Sequence, residues 1–384
     1  MMAINFDPVR LRRTLHQHPE LSNHEAQSAR TIAAQLRAFG FTPHTDIGGH
    51  GIVVDIAGHE PGPTTLLRAD FDALPIQERA PLEHASCHDG IMHACGHDGH
   101  ATALLMVAHT LAQQPPQQGS VLLAFQPAEE TGEGAARLCA DPLLATRHID
   151  NVYAFHNLPG FAQHQIVVRP GTFACASTGV AIKLHGKTSH AAYPERGISP
   201  ANAMSEVMTS LMQLPEQHQP AFSLVTLVHA QLGELAFGVS PGDAIVMATL
   251  RSDDNATFHA MKSSLTATID TIAKRAELEV SIEWHEPFTA AYNHPAHHTH
   301  VVEAASALDL TIETLAEPMR WSEDVAEFLA RWPGALFGIG SGEHHPQLHN
   351  PDYDFPDAIL STAHDLFCAL VARHHGMEIS PMAE

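Results

Sequence analysis

The sequence is poor in basic residues. It has 20 lysines and arginines against 43 aspartates and glutamates, so its formal net charge is −23 at pH 7 with neutral histidines. A surface this acidic repels phosphate groups, which argues against a nucleic-acid backbone or an anionic membrane surface as a partner. We therefore expect a small-molecule substrate, no nucleic acid and no membrane.

Cysteines and long apolar runs are also scarce. The five cysteines, at positions 87, 95, 139, 175 and 368, are an odd number without disulfide-like spacing, which indicates a reducing compartment. No segment approaches the length of apolar run that spans a bilayer, and the first eight residues lack the apolar core of a signal peptide. These features predict a soluble cytoplasmic protein.

The chain is long enough for two hydrophobic cores. A single core seldom grows beyond about 250–300 residues, and this chain has 384, of which 44% are hydrophobic. Its 31 histidines are unusual, because imidazole is the commonest metal ligand. No His-Glu-x-x-His run occurs, so the motif of the single-zinc proteases is missing.

The stretch Met92–His100 concentrates reactive side chains. It places one thiol, three imidazoles and one carboxylate around two glycines. Cys95 and His97 are two positions apart, too close to share one face of a helix, so both can reach one ion only from a loop or the first turn of a helix. The pattern predicts a metal-binding loop that opens a helix.

Polar side chains also follow three predicted strands. The strands are predicted over residues 64–68, 120–125 and 151–155, and the first is separated from an earlier strand by a Gly/Pro turn over 58–63. The polar residues that follow them are Asp70 and Asp72, then Glu129 and Glu130, then His156. Because open α/β sheets place their sites at the carboxyl ends of strands, we expect these side chains to converge near Cys95 and His97.

A different pattern occupies the middle of the chain. From about residue 174 the order of predicted elements is β-α-β-β-α-β, that of a ferredoxin-like unit, and beyond residue 287 the α/β alternation resumes. We therefore predict a catalytic domain over 1–173 and 287–384, with a mostly parallel sheet flanked by helices. The inserted α+β domain over 174–286 is predicted to serve as a lid and dimerisation domain.

Seven segments, in order, resemble the M20 metallopeptidase family, in its amidohydrolase branch of hippurate hydrolases, N-acyl-amino-acid deacylases and auxin-conjugate hydrolases. The segments cover 12–22, 68–75, 92–100, 125–130, 186–192, 322–324 and 348–355. The resemblance implies two divalent ions per subunit, and the positions that match the family's ligands are Cys95, His97, Glu130, His156 and His349. Thiolate, imidazole and carboxylate together suit manganese or zinc, with nickel or cobalt as further options, and they exclude an all-oxygen calcium cage.

The resemblance also implies catalytic roles. Glu129 matches the general base, which takes a proton from a water between the ions and passes it to the departing nitrogen. Asp72 matches a carboxylate that orients a ligand histidine, and Asp70 lies near the position that another histidine would fill. We expect both aspartates to support ligands rather than bind metal.

Two residues of the inserted domain complete the predicted site. His190, in Gly186–His190, matches a lid histidine that stabilises the oxyanion, reaching the partner's site in a homodimer. Arg251 ends a predicted strand and could clamp a substrate carboxylate by a bidentate contact, although a surface ion pair would explain it equally. Glu195 and Ser199 stand where many relatives have histidine and aspartate, which puts detailed transfer of substrate preference in doubt.

The sequence thus predicts a two-metal amidohydrolase that removes an acyl or aroyl group from an amino acid or similar small conjugate. One alternative is a metallo-dipeptidase or carboxypeptidase of the same family, which would require a free α-amino group in its substrate. Another is a catalytically silent metal-binding protein that uses the inserted domain for partner contacts.

Overall fold

The computed structural model describes residues 6–377, which form two compact units. Within the described part, the first unit comprises 6–173, 291–317 and 324–377, and the second comprises Ala174–Ala290 and Pro318–Glu323. The second unit is therefore inserted into the first. The catalytic role assigned to the first and the lid and dimerisation role assigned to the second stay predictions.

Helices and strands alternate in the first part of the chain. In order they are α1 (Pro8–Gln17), α2 (Ala26–Ala38), β1 (His44–Ile47), β2 (Gly51–Ala57), β3 (Glu60–Asp70), α3 (His97–Gln113), β4 (Gln118–Gln126), α4 (Gly134–Ala140), α5 (Pro142–Ala145), β5 (Asn151–Pro159), β6 (Ile166–Val168) and β7 (Gly171–Ala174). Helix α3 begins at His97 directly after Gly96, whose φ of +88° suits a residue without a Cβ. The predicted loop that opens a helix is confirmed.

The second unit has the predicted ferredoxin-like order. Its elements are β8 (Ala176–His185), β9 (Ser189–His190), α6 (Ala201–Gln213), β10 (Ser223–Leu232), β11 (Val239–Ser240), β12 (Asp243–Ser252), α7 (Asn255–Arg275) and β13 (Glu279–Phe288), with short 3₁₀ helices at Pro194–Arg196 and Leu214–His218. The four long strands form an antiparallel sheet in the order β10-β12-β8-β13. One face of this sheet packs against α6 and α7 through a separate apolar core.

The remaining elements return to the first unit. They are β14 (Ala291–Asn293), α8 (Pro295–Ala307), β15 (Ile312–Thr314), α9 (Ala326–Arg331), β16 (Gly334–Gly342) and α10 (Ile359–His375). The eight-stranded sheet has the order β1-β2-β4-β3-β5-β16-β6-β15, and its four central strands, β4, β3, β5 and β16, run parallel. The predicted α/β class with a mostly parallel sheet is confirmed. Among the described residues, no helix is long and apolar enough to cross a membrane.

Two local predictions were wrong. The Gly/Pro run over 58–63 is not simply a turn, because β3 already begins at Glu60 and its register against β4 shifts between Glu60 and Thr64. A bulge absorbs the prolines, which cannot donate to a regular ladder. His156 does not follow its strand but lies within β5, which extends to Pro159.

Helix α3 packs closely against the segment before α10. Gly99, in the first turn of α3, lies against the ring of Phe355, and a Cβ added at Gly99 would overlap that ring. Phe355 is buried. The glycine is therefore required by close approach, not by its backbone conformation.

Replacing Gly99 by Ala should lower the free energy of unfolding by about 1–3 kcal/mol, the usual cost of overpacking a core. Chemical denaturation would measure the loss. Gly238→Ala is the control, because nothing lies within 4 Å of a Cβ built there. The double variant G99A/F355L should recover part of the loss, and an unchanged stability of G99A would contradict the packing argument.

Candidate functional site

The parallel strands bring the predicted polar residues to one edge of the sheet. Asp70 and Gln126 are paired residues at the ends of β3 and β4. His156 lies in the second half of the neighbouring strand β5, and β16 leads into the loop that carries His349. The strand register therefore brings these side chains together at the carboxyl edge of the sheet, as expected.

His97 is oriented by Asp72. The Nδ1 atom of His97 lies 3.1 Å from Oδ1 of Asp72 and 3.0 Å from the Asp72 backbone oxygen, so Nδ1 carries the donated proton and the lone pair is on Nε2. The other Asp72 oxygen accepts from the Ser22 hydroxyl at 2.7 Å and from the Glu130 amide at 3.0 Å. Burial alone would raise the pKa of Asp72, but these bonds, led by that from His97, lower it, so Asp72 is ionised.

The structure brings together all five predicted metal ligands. Sγ of Cys95 lies 3.4 Å from Nε2 of His156, Nε2 of His97 lies 3.9 Å from a Glu130 oxygen, and Nε2 of His349 lies 3.7 Å from the same oxygen. Possible ligand atoms lie within 4.8 Å of one another in several groups, which include Cys95, His97 and His156; Cys95, Glu130 and His349; His97, Glu129 and Glu130; and Asp70, His97 and His100. The predicted base therefore adjoins the predicted ligands.

The charge distribution of this cluster favours a cation. His97 is buried, and its Nε2 atom has no hydrogen-bond partner among the described residues. Burial would lower the pKa of His97, but the negative groups around it, Asp70 first, raise it well above the usual value. Burial lowers the pKa of His156 well below the usual value, which leaves the neutral imidazole that binds metals. The negative field that raises the pKa of His97 would also favour a divalent ion in place of the second imidazole proton.

Comparison with known proteins identifies the family. The profile of peptidase family M20/M25/M40 matches residues 66–373. The chain belongs to this family. It is 33% identical to the N-acetyl-L-cysteine deacetylase of Bacillus subtilis over 94% of this chain and 86% of that protein. It is 32% identical to the IAA-amino acid hydrolase ILR1-like 5 of Arabidopsis thaliana over 95% and 86%.

A solved structure supports the fold. The Bacillus subtilis YXEP protein, described as a dinuclear metal binding peptidase from the M20 family, superposes with a TM-score of 0.81 at 27% identity, covering 95% of this chain and 97% of that one. The M20 chain described here is therefore a metal-binding hydrolase with a dinuclear relative.

Glu129 is positioned by a buried arginine that sequence analysis missed. Arg68 donates to Asp70 at 2.6 Å, to Gln126 at 2.7 Å and to Asp324 at 2.8 Å. The backbone amide of Asp324 in turn lies 3.4 Å from Oε1 of Glu129. In the sequence, these contacts were indicated only by the family segments that contain Arg68 and Asp324.

Asp70 contacts a second histidine of α3 that sequence analysis did not single out, and its supporting role stays a prediction. Its Oδ1 atom lies 2.6 Å from Nδ1 of His100. The other nitrogen of His100 contacts the Asn157 side chain, which also contacts the hydroxyl of Tyr353. His100 lies one turn after His97 on α3, so the helical spacing was the available signal.

A second buried network joins α1, α3 and the segment before α10. Arg12 donates to Asp98 at 3.3 Å, to Asp354 at 2.6 Å and to Asp357 at 2.8 Å. His16 contacts the same Asp98 oxygen at 3.0 Å and a Glu78 oxygen at 3.2 Å. Asp98 follows His97 directly, so this network fixes the first turn of the helix that carries a predicted ligand.

The two site residues predicted in the second unit stay predictions. His190 is exposed in the short strand β9, and its Nδ1 atom accepts from the Ala192 amide at 3.0 Å. The Nη1 atom of Arg251 donates to the Arg320 backbone oxygen at 2.8 Å and to the Ser322 hydroxyl at 3.3 Å. These contacts hold one nitrogen of the arginine within its own unit.

A serine-based site is disfavoured by local structure. Residues 238–242 read Gly-Val-Ser-Pro-Gly and so match the Gly-x-Ser-x-Gly pattern of serine hydrolases. That motif requires a sharp turn between a strand and a helix. Ser240 instead ends the two-residue strand β11, which pairs with β9 and is followed by strand β12.

The stability of the Arg12 network should depend on pH through His16. Burial would lower the pKa of His16, but contacts with Asp98 and Glu78 raise it to about 10 from 6.5. A raised pKa means that the protonated imidazole stabilises the fold fully below about pH 6.5 and that this contribution is lost as the pH rises towards 10. His16→Gln should therefore destabilise the protein most at pH 6 and least at pH 10.

Denaturant titrations at several pH values would measure this difference. His18→Gln is the matched control, because His18 is exposed at the end of the same helix. A difference between wild type and H16Q that stays constant from pH 6 to pH 10 would refute the role of the charged imidazole.

Proposed function

We propose that this M20 protein is a two-metal amidohydrolase that hydrolyses the amide bond of N-acyl or N-aroyl amino acids or similar small conjugates. The observation that supports it most is the cluster of Cys95, His97, His156 and Glu129, which are buried, with the partly buried Glu130 beside them. The relatives named as an N-acetyl-L-cysteine deacetylase and an IAA-amino acid hydrolase act on substrates of this class by name, which supports the choice of substrate.

Different side chains of the cluster would bind the metal ions and transfer the proton. Five side chains would hold the ions: Cys95, His97, Glu130, His156 and His349. Bound divalent ions supply Lewis acidity towards the amide carbonyl and lower the pKa of a water molecule. Manganese or zinc fits the mixed sulfur, nitrogen and oxygen donors best, with nickel or cobalt also compatible.

Glu129 would serve as the proton carrier. Glu129 and Glu130 each have an oxygen 3.9 Å from Nε2 of His97. Glu130 also adjoins Cys95 and His349, while Oε1 of Glu129 lies 3.4 Å from the Asp324 amide. The carboxylate of Glu129 would take a proton from the attacking water and deliver it to the departing nitrogen as the C–N bond breaks. Asp72 would keep His97 in the tautomer whose Nε2 lone pair faces the ions.

Glu129→Gln should lower kcat by about 10²–10⁴-fold, the usual contribution of a general base, because glutamine cannot accept the proton. The metal content, measured by elemental analysis, should stay at the wild-type value. Glu130→Gln is the matched comparison at the adjacent position, and it should lower metal content as well as kcat. If E129Q kept most of its activity, the assignment of the base would be wrong.

The substrate class is tested with a small panel. Protein stripped of metal and reloaded with manganese or zinc should hydrolyse hippurate and N-acetyl amino acids and should leave plain dipeptides intact. Cleavage of dipeptides alone would assign the protein to the peptidase alternative. Metal binding without hydrolysis of any amide would support the silent binding protein instead.

We further propose a homodimer formed through the second unit, in a reducing cytoplasm. None of the five cysteines forms a disulfide bond, which fits such a compartment. Leu235 and Phe237 are completely exposed in the second unit, and Val228 on strand β10 is 58% exposed. Exposed apolar clusters of this kind mark protein interfaces, and a partner subunit is what His190 would need in order to act in trans.

Replacing Leu235 and Phe237 together by Ser should shift the protein from dimer to monomer, because the apolar contact would be lost. Light scattering after size exclusion would measure the mass. Met212→Ser is the control, since Met212 is 57% exposed elsewhere in the second unit, on α6. A wild-type protein that is monomeric at micromolar concentration would rule out the proposed assembly.

A further inference from the structure

One buried carboxylate has no place in the mechanism proposed above. Glu25 precedes helix α2 and is completely buried. Its Oε1 atom accepts from the Ala128 amide at 2.8 Å and from the Asn23 amide at 2.9 Å, while Oε2 has no hydrogen-bond partner among the described residues. The side chain at the N-cap position of α2 therefore contacts the backbone directly before Glu129, more than 100 positions later in the chain.

The backbone that Glu25 contacts is strained. Ala128 has a φ of +52°, in the left-handed region that residues with a Cβ adopt at a cost in free energy. Such a conformation persists only where the surroundings hold it. The Ala128 amide is held by Glu25, and the Ala128 carbonyl oxygen accepts from the Gly134 amide at 3.1 Å.

This backbone turn determines where Glu129 and Glu130 point. Strand β4 ends at Gln126, and two residues later the left-handed Ala128 redirects the chain. The amide of Glu130 then donates to Asp72, and the side chain of Glu129 lies beside the Asp324 amide. Without the turn, adjacent carboxylates in an extended segment would point to opposite sides of the chain.

We propose that Glu25 is a positioning residue for Glu129 and Glu130, which acts by holding Ala128 in its left-handed conformation. The inference rests on the function proposed above. Glu25 touches neither substrate nor metal ligand in this role. It requires an oxygen that accepts two backbone hydrogen bonds, and a negative charge is not required.

The surroundings of Glu25 do not favour its negative charge. Burial, with a smaller contribution from the nearby Asp72 carboxylate, raises the pKa of Glu25 above its usual value. Glutamine at this position offers the same acceptor oxygen without ionisation. Methionine has a similar length and apolar bulk but offers no oxygen to the two amides.

The test compares Glu25→Gln with Glu25→Met. E25Q should keep most of the wild-type kcat. E25M should lose about 10²-fold in kcat, the scale expected when a catalytic group is misplaced by about 1 Å, while KM changes little. The visible spectrum of the cobalt(II)-loaded protein should change in E25M and stay as in wild type in E25Q, because Glu130 moves only in the former.

A rescue variant separates positioning from general damage. Glycine adopts φ near +52° without strain, so A128G placed in the E25M background should restore a large part of kcat and the cobalt spectrum. Glu20→Met is the matched control, because the Glu20 carboxylate also accepts two backbone hydrogen bonds, from Gln27 and Ser28, at the start of α2. E20M should lower the thermal midpoint and leave kcat and the spectrum unchanged.

Three results would overturn the inference: wild-type kcat and spectrum in E25M, a loss in E25Q as large as in E25M, or no rescue by A128G. If E25M does not fold, Glu25→Asp replaces it, because a side chain shorter by one methylene withdraws the oxygen from Ala128. Its kcat and cobalt spectrum are then judged in the same way. An inactive wild type would count against the proposed function alone, because the cobalt spectra still report whether Glu25 positions Glu130.

Discussion

The structure of the first unit depends on the pairing of charge that is buried. Carboxylates buried at the carboxyl edge of the sheet would be unstable there without partners, because a charge removed from water must be compensated by hydrogen bonds and opposite charge. Among the described residues, Arg12 and Arg68 are the two largest side chains that are almost completely buried. Each forms ion pairs with at least two aspartates. The fold is arranged so that every such aspartate has a donor.

This pairing also restricts the orientation of the side chains at the candidate site. Asp70 is held between Arg68 and His100, and Asp72 between Ser22, His97 and the Glu130 amide. Side chains that are fixed on both sides keep one rotamer, and fixed ligands bind a metal ion without reorganisation. Nε2 of His97, which has no hydrogen-bond partner among the described residues, then faces a region where the surrounding charge favours a cation.

The N-terminal helices also supply partners for buried polar groups, in addition to their packing. Helix α1 supplies Arg12 and His16 to the first turn of α3, and the turn before α2 supplies Ser22 and Glu25 to the segments around Asp72 and Ala128. These contacts join residues that are far apart in the chain. A hydrophobic helix face alone would not require polar residues at these positions.

Much of the fold and the candidate site could be predicted from the sequence. Alternating α and β patterns predicted the α/β class and the order of the long elements in the second unit, and the ligand types in Met92–His100 indicated metal chemistry, because local spacing restricts which side chains share a face. The errors were local. The prolines after Gly58 obscured the start of β3, and the polar His156 was assigned to a loop although parallel pairing continues past it.

The sequence by itself determined the α/β class, the inserted ferredoxin-like order and the residue types of a metal centre, since these depend on periodicity and on ligand chemistry within short segments. Only the tertiary structure decided which groups support that centre. The contacts of Arg68 with Asp324 and of Glu25 with Ala128 span more than 100 residues. Their geometry follows from strand register and from the strained turn at Ala128, which no local pattern in the sequence specifies.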